Sequence, residues 1–145
     1  MTTAGATAKL CACVAVLPVM KDAVQVVMVT ASEITVRWPP YTADAGTQSP
    51  RVVVSSYDIE MTMRDEQWIL VVSLPATTPS DPDGQYRYEV ARLIPGTRYR
   101  FRVVMNWLND NKTTRSIPGP PSSWIRTHCG QLVTSFLLFT SHRVK

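Results

Sequence analysis

The sequence is poor in the side chains that carry out chemistry. Histidine occurs twice, as His128 and His142, and both lie near the C-terminal end. Nothing resembles a G-x-S-x-G nucleophile elbow, a glycine-rich phosphate loop or a histidine-rich metal motif. Cysteine is also scarce: Cys11, Cys13 and Cys129 are the three present. Cys11 and Cys13 are too close in sequence to bridge without strain. Cys129 beside His128, with Cys11-x-Cys13 far upstream, matches no zinc spacing. These absences lead us to expect no enzyme activity, no cofactor and no metal. They also leave the redox compartment undefined, because residues 23–127 hold no cysteine and need no disulfide.

Charge of one sign is thin as well. The net charge is +4, but residues 23–127 contain 11 Lys/Arg against 10 Asp/Glu, so most of the excess sits in the flanks. A nucleic-acid partner calls for a concentrated basic footprint, which this distribution lacks. Long apolar runs are missing too. Leu10–Leu17, preceded by Lys9, has the length of a short signal-peptide core, and the apolar stretch within residues 131–140 is shorter than a membrane span. No internal repeat is visible, so a single, monomeric domain is expected.

What the chain does hold is alternation. With 45% hydrophobic and 18% charged residues, 145 residues can bury one core. Ala23–Thr30 is rich in β-branched residues and predicts a first strand. Ile34, Val36 and Trp38 alternate with polar residues until Pro39-Pro40 stops them. Tyr57, Ile59, Met61 and Met63 are expected to face inward on a third strand, with Val52–Val54 extending it. Trp68–Val72 predicts a short fourth strand, and Tyr86–Ala91 follows a proline-rich loop from Pro75 to Gly84. After the turn at Pro95-Gly96, Tyr99, Phe101 and Val103 alternate with Arg98, Arg100 and Arg102. The strand is expected to run to Met105, with a loop over 106–115 and a last strand within 117–127.

The run Leu93-Ile94-Pro95-Gly96-Thr97-Arg98-Tyr99-Arg100-Phe101-Arg102-Val103, together with Trp38, Tyr57 and Gly119-Pro120-Pro121-Ser122, resembles a fibronectin type III domain. The resemblance covers residues 23–127. Residues 1–22 are then a leader or weak signal-like segment, and 128–145 a tail outside the family pattern. It implies an all-β, seven-stranded antiparallel sandwich of immunoglobulin-like architecture. Within it Trp38 would anchor the core, and the Tyr99 hydroxyl would tie back to the backbone of the Leu93 corner. An immunoglobulin domain would place cysteines on the second and sixth strands, and none stands there.

The implied function is a non-enzymatic protein-interaction module of an extracellular or cell-surface protein such as a receptor or adhesion molecule. The alternative is a structural spacer, cytoplasmic or a truncated product, with no ligand of its own. Two candidate contact regions follow. The loop residues Trp107, Leu108 and Asn109 lie at a sandwich end, where Trp107 either anchors a partner or caps the core. Arg98, Arg100 and Arg102 form a basic stripe that either meets an acidic partner or sulfated glycan, or pairs with Asp58 and Glu60 on the neighbouring strand. Asn111-Lys112-Thr113 fits the N-glycosylation rule. Arg-Gly-Asp is absent, and Ser122-Ser123-Trp124 is only a partial echo of the cytokine-receptor Trp-Ser-x-Trp-Ser signature.

Overall fold

A computed structural model describes residues 17–43, 52–64, 67–77, 79, 81–109 and 111–130. Cys11, Cys13, most of the leader and the tail from residue 131 lie outside the described residues. The chain forms strands β1 (Gln25–Val29), β2 (Ile34–Trp38), β3 (Val53–Thr62), β4 (Ile69–Pro75), β5 (Tyr86–Val90), β6 (Arg98–Leu108), β7 (Thr114–Pro118) and β8 (Ile125–Arg126). One sheet runs β1-β2-β5 and the other β4-β3-β6-β7, with β8 also paired to β6. Every pairing is antiparallel. This is the expected sandwich.

The period-two pattern determines which side chains lie between the sheets. Ile34, Val36 and Trp38 on β2 are fully buried, as are Tyr57 and Ile59 on β3 and Tyr99, Phe101, Val103 and Met105 on β6, with Trp107 nearly so. At the centre the Trp38 ring stacks on Tyr86 with centroids 5.6 Å apart and meets Tyr57 edge-on at 6.1 Å. The Tyr57 hydroxyl accepts a hydrogen bond from the Tyr41 backbone N–H at 2.8 Å, whereas the buried Trp38 indole N–H has no partner among the described residues. Burial pushes the Tyr57 and Tyr86 phenols above their ordinary value of 10.0. Met20, on the leader side of the expected boundary, is also buried and packs against Gly119.

Three expectations change. Met63 faces solvent, because β3 ends at Thr62, whose hydroxyl exchanges hydrogen bonds with the Arg64 backbone and turns the chain. The loop expected over 106–115 shrinks to 109–113, because β6 continues to Leu108 and β7 pairs back along it from Thr114. The last strand is broken in two. Pro118, Pro120 and Pro121 have no N–H to give to a ladder. Gly119 N–H to Val103 O and Ser122 N–H to Phe101 O nonetheless keep the segment against β6 between β7 and β8.

Candidate functional site

The Leu93 corner determines where β6 begins and therefore which way its arginines point. Gly96 adopts a φ of +67°, a conformation that side chains with a Cβ rarely take. The Ile94 N–H donates to the Tyr99 hydroxyl at 2.9 Å, so the tyrosine ties back to the corner. Thr127, buried just past the end of β8, fastens the other side. Its hydroxyl accepts from the Thr97 N–H at 3.0 Å and donates to the Ile94 carbonyl at 2.7 Å. With Tyr99 locked inward, Arg98, Arg100 and Arg102 must project from the outer face.

On that face they do not all meet carboxylates. Glu60 stands directly opposite Arg102 on β3, and their side chains form an ion pair at 2.6 Å. Asp58 lies opposite Val104 and instead accepts the Ser73 hydroxyl. The arginines find tryptophans. Arg102 lies over the Trp68 ring at 4.3 Å from its centroid, and Arg98 and Arg100 lie over Trp124 at 5.3 and 5.8 Å. Arg100 also donates to the Ser122 carbonyl at 2.8 Å. Arg126 stands directly opposite Arg98, placing two exposed cations side by side. Among the described residues neither has a carboxylate partner. A depression of about 220 Å³ opens here, lined by Met63, Arg64, Arg98 and Trp124.

The loop candidates are less open. Trp107 is a core residue of β6, with 6% of its surface exposed, so it takes the capping alternative. Leu108 and Asn109 are half-buried. Asn109 is occupied in the turn, where its side-chain oxygen accepts from the Thr113 N–H and hydroxyl, each at 2.8 Å. Asn111 is exposed at the tip of the same turn. Cys129 is a free, exposed thiol. Among the described residues no three His, Cys, Asp or Glu side chains gather as metal ligands, and no helix is long and apolar enough to cross a membrane.

Trp68, Trp124 and Arg126 are the site residues that sequence reasoning missed. A signal existed: Trp124, just before β8, and Arg126, within it, are two apart in sequence, the spacing that puts side chains on one face of an extended chain beside the arginine stripe.

The fibronectin type III domain model matches residues 19–120 of the sequence. Among solved structures, a human FNIII domain (the fourth of its protein) aligns with a TM-score of 0.56 at 16% identity, covering 90% of this chain and 95% of that one. The sixth fibronectin type III domain of human fibronectin type III domain containing protein 3 aligns with a TM-score of 0.53 at 19% identity, covering 79% and 90%. A run of domains from titin aligns with a TM-score of 0.51 at 23% identity over 76% of this chain, which spans only 32% of that structure. At these identities the likeness is one of fold. No curated protein matches the sequence.

Proposed function

The chain belongs to the fibronectin type III family, and from that premise we propose that it is a non-enzymatic protein-interaction module that binds a partner through the outer face of β6 and β8. One observation carries this reading: Arg98 and Arg126 stand opposite each other with no carboxylate partner among the described residues, beside an indole. Like charges placed directly opposite on a sheet are destabilising. A face that served only to hold the strand would place a carboxylate there, as it does for Arg102. Arginine and tryptophan are also the side chains most enriched where protein interfaces concentrate their affinity. The family commonly serves as an interaction or spacer module, and a spacer has no need of this arrangement.

The setting we propose is extracellular or at the cell surface. The support is the exposed Asn111 of the Asn-Lys-Thr sequon, on a turn with room for a glycan. Expression in animal cells tests it, through the mass of the secreted chain before and after enzymatic removal of N-glycans. Retention in the cell at unmodified mass would overturn the setting.

The binding face is tested by proximity labelling on living cells, comparing the wild-type chain with Arg98→Glu/Arg126→Glu. Proteins labelled by the wild type and lost with the double variant identify the partner. Identical labelled sets from two equally folded chains would overturn the assignment and leave the spacer role.

A further inference from the structure

We propose that the depression between Met63, Arg64, Arg98 and Trp124 receives one sulfated tyrosine side chain from an acidic segment of the protein partner. The inference rests on the interaction-module reading above and specifies its anchor. Size comes first. At about 220 Å³ the depression falls below the roughly 300–1,000 Å³ typical of small-molecule sites, and it has room for a single side chain. Its chemistry is divided. Arg64 and Arg98 line it as two cationic side chains, and Arg126, outside the lining, stands opposite Arg98 at the strand pairing. Trp124 and the exposed Met63 supply an indole and a thioether.

The two halves ask for different things of one ligand. Arg98 lies over the indole of Trp124, which restrains its guanidinium plane while leaving N–H groups to grip an oxyanion in forked geometry. The apolar half asks for a flat, polarisable ring, which packs well against both an indole and a thioether. An aspartate or glutamate would satisfy the arginines and leave exposed Met63 and the part of Trp124 that Arg98 and Arg100 do not cover. A plain tyrosine would cover them and leave the cations unpaired. A tyrosine carrying an anionic ester at its hydroxyl end meets both demands. The extracellular setting proposed above selects the sulfate ester over the phosphate.

The test is a titration of the isotope-labelled chain with three peptides of one acidic sequence, carrying tyrosine, tyrosine sulfate or tyrosine phosphate. Resonances of the Trp124 indole N–H and the Met63 methyl report the site. We expect the sulfated peptide to bind at least about ten-fold more tightly than the unmodified one, the effect of one hydrogen bond to a charged group. Arg98→Gln and Arg126→Gln should each remove most of that difference while the fold, read by amide spectra, stays intact. Trp124→Leu should weaken the sulfated peptide and leave a residual, salt-sensitive attraction. Glu60→Gln, on the Arg102 ion pair two steps along the stripe from Arg98, should not weaken it.

Equal affinity for the unmodified and sulfated peptides would overturn the proposal. So would shifts that avoid Trp124 and Met63, or binding of the phosphorylated peptide with none of the sulfated one. If the sulfated peptide fails while the Arg98→Glu/Arg126→Glu variant still loses a labelled partner on cells, the anchor is wrong and the interaction face stands. If both fail, the face itself is wrong.

Discussion

The two faces of β6 are made by the same run of chain and have opposite characters. Inward, Tyr99, Phe101, Val103, Met105 and Trp107 are buried between the sheets. Outward, Arg98, Arg100 and Arg102 lead to Val104 and Asn106, and the outer face itself changes halfway along. Asn106 is buried with its polar groups satisfied. Its amide N–H donates to the Ser56 hydroxyl at 3.1 Å, and its side-chain oxygen accepts from Ser116 at 2.6 Å. That half is held between β3 and β7. The arginine half is paired to β3 at Arg100 and Arg102, but at Arg98 it meets β8, and there like charge faces like charge. The inner face is thus optimised for stability, and the arginine end of the outer face is not. Places where local rules are broken on an otherwise consistent scaffold are where function is expected.

The sharpest way to break this contrast is to attack the inner side. Trp38 is wholly buried against Tyr57 and Tyr86, and Trp38→Ala should cost about 3–5 kcal/mol in urea unfolding through lost contacts and a residual cavity. A loss under about 1 kcal/mol would mean that the ring cluster is not the centre of the core. Next in size is Tyr99→Phe. It leaves the Ile94 N–H without its acceptor at the corner and should cost about 1–3 kcal/mol. A wild-type melting curve for this variant would detach the corner from the stability of the domain.

These inner-face effects could be anticipated because they rest on period-two patterning and on turn chemistry, both local in sequence. Trp38, Tyr57 and Tyr99 could be assigned to the core from their immediate neighbours. The outer face depends on register between distant strands. That Glu60 meets Arg102, while Arg98 meets Arg126, follows from pairings across 42 and 28 positions that no local pattern encodes. The proline-broken last strand obscured it further, since Arg126 sits in a two-residue strand, with Trp124 just before it, and so short a strand has almost no alternation of its own. Trp107 shows the reverse failure. The turn-forming run at 109–111 drew the loop boundary too early, although Met105 and Trp107 continue the inward alternation without a break.

A smaller effect separates the faces by pH. The Tyr57 phenol is raised above 10.0, chiefly by desolvation, so the folded chain holds this proton more tightly than the unfolded one. Its contribution is therefore complete below about pH 10 and is lost as pH rises through the folded value. Stability should fall above pH 10 with a limiting slope of about 1.4 kcal/mol per pH unit for this group. Tyr57→Phe should flatten that slope whatever it does to stability at neutral pH. An unchanged slope in Tyr57→Phe would assign the alkaline loss to another group.

The smallest expected effect is the most informative about the outer face. Arg126→Ser removes one of two cations standing directly opposite each other. If the pair serves only a ligand, its removal should leave stability unchanged or raise it by about 0.2–1 kcal/mol, the size of a cross-strand charge term. The gain should shrink as salt rises, because both groups are exposed and screened over about 10 Å at 0.1 M ionic strength. Urea unfolding at two salt concentrations measures both. Core variants behave differently, since cavity costs do not depend on ionic strength. A loss exceeding about 1 kcal/mol, independent of salt, would show that Arg126 holds the corner through its alkyl chain. The outer face would then be structural in the same sense as the inner one, and the contrast between them would be one of polarity rather than purpose.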